Sequence, residues 1–117
     1  MPDTNSLKEG VLRLYRESVI GAGYGNTYGE ENIRGLVKKY RSLDPVEMQV
    51  MTGLLVDYSK SSDLAASYVS VGVLHALGMK SQVVEAYEWA KTLEDSSMYT
   101  SHFDIGKSLA DHFIVNG

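Results

Sequence analysis

Apolar residues recur three and four positions apart along most of this chain, the period of helices with one buried face. The clearest case is Glu30 to Leu43. Ile33, Leu36, Val37, Tyr40 and Leu43 fall on one arc, and Arg34, Lys38 and Arg41 share the opposite side. Upstream, Leu7, Val11, Leu12, Tyr15 and Val19 give the apolar side of a first helix, expected from Leu7 to Ile20. Ser6 and Glu9 stand before it at capping-box spacing. Asp44-Pro45 ends the second helix, because the residue before proline avoids the α region. The same pair opens a third, with Asp44 as N-cap, Pro45 in the first position and Glu47 closing the box. That helix carries Val46, Val50, Met51, Leu54, Leu55 and Tyr58, and Ser59-Lys60-Ser61-Ser62 turns the chain.

The stretch from Asp63 to Lys80, DLAASYVSVGVLHALGMK, carries no formal charge between its ends. Tyr68 to Val73 alternates large and small, which is a strand-like period, and its valines favour strands. Its length, an N-cap at Ser62 or Asp63, a C-cap at Gly78 and helical neighbours on both sides predict a helix instead. Apolar nearly all round, such a helix is buried between others, and it is too short to span a membrane. After Gly78, Ser81 is the expected cap of a fifth helix that runs to about Asp95. Val83, Ala86, Tyr87, Trp89, Ala90 and Leu93 form its apolar arc, and Glu85, Glu88, Lys91 and Asp95 its wet side. Asp95 to Thr100 reads as a connector. Ser101, with Asp104 three residues on, is the expected cap of a last helix that carries Phe103, Gly106, Leu109, Ala110, Phe113 and Ile114. The expectation is all-α: one domain over residues 1–117, with about six antiparallel helices as stacked hairpins or a compact bundle.

Five glycines, at 10, 35, 53, 72 and 106, fall inside expected helices, where each costs roughly 1 kcal/mol against alanine. Close helix–helix approach would explain some of them, Gly53 and Gly72 first.

Residues 45–115 fall into two successive helical hairpins with serine-rich turns. At an offset of 37, Val56 maps to Leu93, Asp57 to Glu94, Ser59 to Ser96 and Leu77 to Ile114. This resembles HEAT-type repeats. Gly78, Val83, Tyr87 and Ala90 are similar to the tetratricopeptide second-helix spacing, but that family's first-helix Trp and Leu-Gly positions are absent. The resemblance implies protein–protein recognition, although fold does not fix function.

Composition narrows the classes. A net charge of −4 over 117 residues argues against a general nucleic-acid binder, which needs clustered Lys and Arg. There is no cysteine, so disulfides, thiolate metal sites and cysteine nucleophiles are excluded. The opening MPDTNSLKEG has no basic-then-apolar signal pattern, which makes the cytoplasm the expected compartment.

The loop Gly21-x-Gly23-x-Gly25-x-x-x-Gly29 suggests phosphate cradling only superficially. A helix precedes it instead of a strand, and no Gly-Lys-Ser/Thr follows. It reads better as a loop displaying Tyr24 and Tyr28. His102 and His112 lie ten residues apart on one expected helix, about 15 Å and too far to share an ion. His75 sits in the apolar central helix, so each histidine reads as a core or helix-end residue and no metal or cofactor is expected. The close acid–His pairs, His102-x-Asp104 and Asp111-His112, do not face each other on a helix. No catalytic residue is assigned. The basic side Arg34, Lys38 and Arg41 reads as a solvated face supported by Glu30 and Glu31.

The leading expectation is a non-catalytic module that binds another protein, one of basic charge, through a helical surface. The roles that fit are an acidic immunity- or antitoxin-type neutraliser and a dedicated chaperone or adaptor. The surface singled out is Glu85, Glu88 and Asp95, with Trp89 and Tyr99 as apolar anchors and Tyr24 and Tyr28 as the next choice. The alternative is a small helical enzyme or ligand-binding bundle using the Gly21–Gly29 loop as a lid.

Overall fold

The capping box at Asp44 forms as its sequence requires. In a computed structural model that describes residues 4–20 and 30–116, the Asp44 side chain accepts from the Glu47 backbone and Glu47 reaches back to the Asp44 N–H. Six helices occupy the described residues, with no strand among them: α1 (Thr4–Ile20), α2 (Glu30–Arg41), α3 (Pro45–Ser59), α4 (Leu64–Ala76), α5 (Lys80–Ala90) and α6 (Ser96–Asn116). The fold is an all-α single domain. Its Cα radius of gyration is 13.5 Å.

α4 is the centre. Its N-cap Asp63 accepts from the Ala66 N–H. At the other end, Gly78 takes φ +76, its N–H donates to His75 O, and the Met79 N–H reaches Leu74 O. This is a Schellman ending, and it needs a residue free of a Cβ at the left-handed position. Between those ends Val69, Val71, Val73 and Leu74 are buried, as are Ser67, Ser70 and Gly72. The Tyr68–Val73 alternation is therefore helical, and burial on all sides explains why it lacks an amphipathic period.

α4 and α6 make the most extensive interface. The Tyr99 hydroxyl donates to Ser62 O just before α4 begins, and His75 meets Asp111 near its end. The two helices therefore run in the same direction. They cross closely where Gly72 faces Gly106. A Cβ on Gly106 would stand 2.6 Å from Tyr68 O, and one on Gly72 would stand 2.7 Å from Ile33 Cδ1 and 3.0 Å from Gly106 O. Gly53, expected to serve close packing, faces open space, as does Gly10. α2 packs against both α4 and α6.

The bounds of four helices differ from expectation. Ser6 lies inside α1, which begins at Thr4. α2 stops at Arg41, two residues short of Leu43, in a tightened turn where Ser42 and Leu43 donate to Lys39 and Tyr40. α5 begins at Lys80 directly after the Schellman turn, so Ser81 is not its cap, and it ends at Ala90. α6 begins at Ser96 and absorbs the expected connector, placing Ser101 inside the helix. The cause is burial: Tyr99 and Phe103, one turn apart, both face the core and need helix on either side of Tyr99.

Buried polar side chains are spent on the fold. The Tyr15 hydroxyl donates to Ser70 Oγ, which donates to Ala66 O, while Asn32 Nδ2 donates to Tyr15 O at 3.0 Å. Ser67 donates to Ser61 O and Ser59 to Val56 O. Among the described residues no buried side-chain nitrogen or oxygen lacks a partner.

Candidate functional site

The aromatic residues of α5 and α6 form a chain of edge contacts. Trp89 meets Tyr99 at 5.5 Å between ring centroids, Tyr99 meets Phe103 at 6.3 Å, and Phe103 meets Tyr87 at 5.3 Å. Edge-to-face pairs of this kind add to simple burial, and they fix α5 on α6. Tyr99, expected as a surface anchor, is 5% exposed and bonded to Ser62 O, so it belongs to the core. Trp89 is partly buried at the margin. At the other end of the chain, the Tyr87 hydroxyl donates to Asp104 at 2.5 Å and Lys107 Nζ lies 5.2 Å from the ring centroid. Burial, the bond to Asp104 and that carboxylate's charge together push the Tyr87 phenol well above its ordinary range.

The outer side of α5 presents Val84, Glu85 and Glu88, all exposed. Val84 is 58% exposed, although it is an apolar residue in a folded helix. The two glutamates do not act as bare charges. Lys60 Nζ lies 3.5 Å from Glu85, and Lys91 Nζ 3.1 Å from Glu88. Glu94 and Asp95 are exposed in the turn that follows. Glu85, Glu88, Trp89 and Asp95 thus belong to one helix and its exit turn, while Tyr99 turns inward. Val84 is the residue that sequence reasoning missed. Its signal was present: it falls outside the Val83–Ala86–Ala90 arc, on the wet side of the wheel. Tyr24, Tyr28 and the whole Gly21–Gly29 loop lie outside the described residues.

His75 pairs across the fold, and His102 pairs along its own helix. His75 Nε2 donates to Asp111 Oδ1 at 2.7 Å, a partnership 36 residues apart that no local spacing announces. His102 Nδ1 donates to Met98 O at 2.7 Å, and its ring lies against Tyr68 at 5.6 Å. Among the described residues no three His, Asp or Glu side chains converge as metal ligands. No described helix is long and apolar enough to cross a membrane.

One open groove of about 510 Å³ runs along the outside of α6, lined by Asp104, Ile105, Ser108, Leu109 and His112. All five residues come from this one helix, so it is a surface furrow and not an enclosed active-site cavity. The chain matches no protein-family profile, no curated protein and no solved structure.

Proposed function

We propose that this protein is a non-catalytic binding module that docks a partner protein through the outer side of α5 and the turn after it. The observation that carries this reading is Val84, an apolar side chain 58% exposed beside Glu85 and Glu88 on a rigid helix. Apolar residues set among charges, with an aromatic at the edge, make the core-and-rim pattern of protein interfaces. Trp89 provides that edge. The chain's net charge of −4 favours a basic partner. A neutraliser of a basic toxin or nuclease fits the size and charge, and a dedicated chaperone or adaptor would use the same face. Both act without leaving the compartment of synthesis, which accords with a cytoplasmic site of action.

The test is site-specific photo-crosslinking in the source cell. A photoreactive residue at Val84 should trap one discrete protein adduct that the same probe at Val46, on α3, does not. Equal adduct patterns from the two positions would remove α5 as the docking face. The alternative, a small ligand-binding bundle, would show instead as a melting temperature raised by a metabolite with the Val84 adduct absent.

A further inference from the structure

The chain has no cysteine, so its five methionine thioethers are the sulfur nucleophiles it offers an oxidant. The fold holds them at different depths. Met51 is wholly buried, Met48 and Met79 are half-buried, and Met98 is 42% exposed. Met1 lies outside the described residues. A peroxide must reach the sulfur from solvent, and the oxygen it leaves there is a strong acceptor that needs water or a donor. At Met51 that oxygen would be buried without a partner. At Met98 it would stand in water. The bonds that tie Met98 to the fold are backbone ones: its N–H donates to Asp95 O, and its carbonyl accepts from His102 Nδ1. Met98 also stands at the docking edge. It lies one turn from Asp95, and its chain neighbour Tyr99 carries the ring that meets Trp89. Methionine is enriched at protein interfaces, where its flexible thioether adapts to an apolar partner.

We propose that Met98 is an oxidation site, through which a peroxide weakens docking at the outer side of α5 and the turn after it. The regulatory half rests on the docking reading; the site itself rests on exposure. A sulfur lone pair attacks one peroxide oxygen. The S–O bond forms as the O–O bond breaks, and the sulfur is oxidised by two electrons. The proton on the transferred oxygen passes to the departing hydroxide, which leaves as water. A flexible apolar side chain becomes a polar, chiral one. Its new oxygen requires hydration at an edge from which a partner would exclude water. The change is reversible, because a reductase supplying two thiols removes the oxygen as water and is left with a disulfide.

Peptide mapping of the purified full chain under dilute hydrogen peroxide reads the site. Met98 should gain one oxygen at least about threefold faster than Met48 or Met79, and Met51 should stay unoxidised until denaturant is added. The melting temperature of the singly oxidised chain should change by no more than about 3 °C, as for a surface substitution. After catalase removes the peroxide, the chain carrying the photoreactive residue at Val84 is added to extract of the source cell. Oxidation should lower the yield of the Val84 adduct by at least about threefold, and a methionine sulfoxide reductase should restore it. Met98→Gln should lower the yield without peroxide. Met98→Leu removes the sulfur and keeps the apolar surface, so its yield should not respond to peroxide. Met48 or Met79 oxidised as fast as Met98 would overturn the site. An adduct yield indifferent to oxidation, or a loss that Met98→Leu shares, would overturn the regulation. No adduct from the unoxidised chain would instead be the failure of the docking reading, while the order of oxidation still decides Met98.

Discussion

The Cβ that Gly106 lacks would stand 2.6 Å from the backbone oxygen of Tyr68, an atom that cannot swing aside. Gly106→Ala should therefore destabilise the domain by about 1–3 kcal/mol, the cost of overpacking a well-filled contact. Gly53 faces open space, so Gly53→Ala should stabilise by about 0.5–1 kcal/mol through lower backbone entropy in the unfolded chain. Chemical denaturation of both variants checks this, and a shift in the same direction for both would sink the assignment. Tyr15 makes a second residue-scale case. Burial raises its phenol above the ordinary value. The sign follows: the unfolded phenol ionises near pH 10 and the folded one later. The contribution is complete below about pH 10 and is lost as the pH rises through the folded value. Stability should fall above about pH 10 more steeply in the native chain than in Tyr15→Phe. Denaturation midpoints at alkaline pH measure this, and parallel slopes would show that Tyr15 does not hold its proton in the fold.

At the scale of elements, α4 governs. Val73 is wholly buried, and an aspartate there would be an unpaired charge without solvent. Val73→Asp should cost at least about 3 kcal/mol and abolish the cooperative melt seen by circular dichroism. The features of α4 legible in sequence were local ones. Asp63 before an apolar run and Gly78 after it act within one turn of themselves, so the residues alone fix the ends. Asp44-Pro45 with Glu47 worked for the same reason. Ser81 and Ser101 carried the same type of signal and failed. The Schellman turn at Gly78 leaves α5 beginning one residue early, and the burial of Tyr99 pulls the start of α6 back to Ser96. Tertiary contact outweighed a local preference worth about 1 kcal/mol. The same limit applied to side-chain partners. His75–Asp111 and Gly72–Gly106 join helices whose adjacency no short spacing encodes, whereas Val84 stood on the wet side of the wheel for any reader to see.

For the molecule as a whole, the docking surface on α5 sets an electrostatic expectation. Glu88 is exposed and its pair with Lys91 is a solvated one, so Glu88→Lys should change stability by no more than about 0.5 kcal/mol. Association with a basic partner should slow, and added salt should slow the native chain more than the variant. Stopped-flow kinetics at two salt concentrations decide it. On-rates identical in all four measurements would take α5 out of the encounter. The covering of α4 by α6 also matters before the protein is complete. The ribosome releases α4 well ahead of α6, so during synthesis the groove around Gly72 lacks the helix that fills it. At a few residues per second this open interval lasts seconds. A pause in translation between Lys80 and Ser96 would prolong it, leaving the most apolar helix of the chain accessible to chaperones or to neighbouring nascent chains.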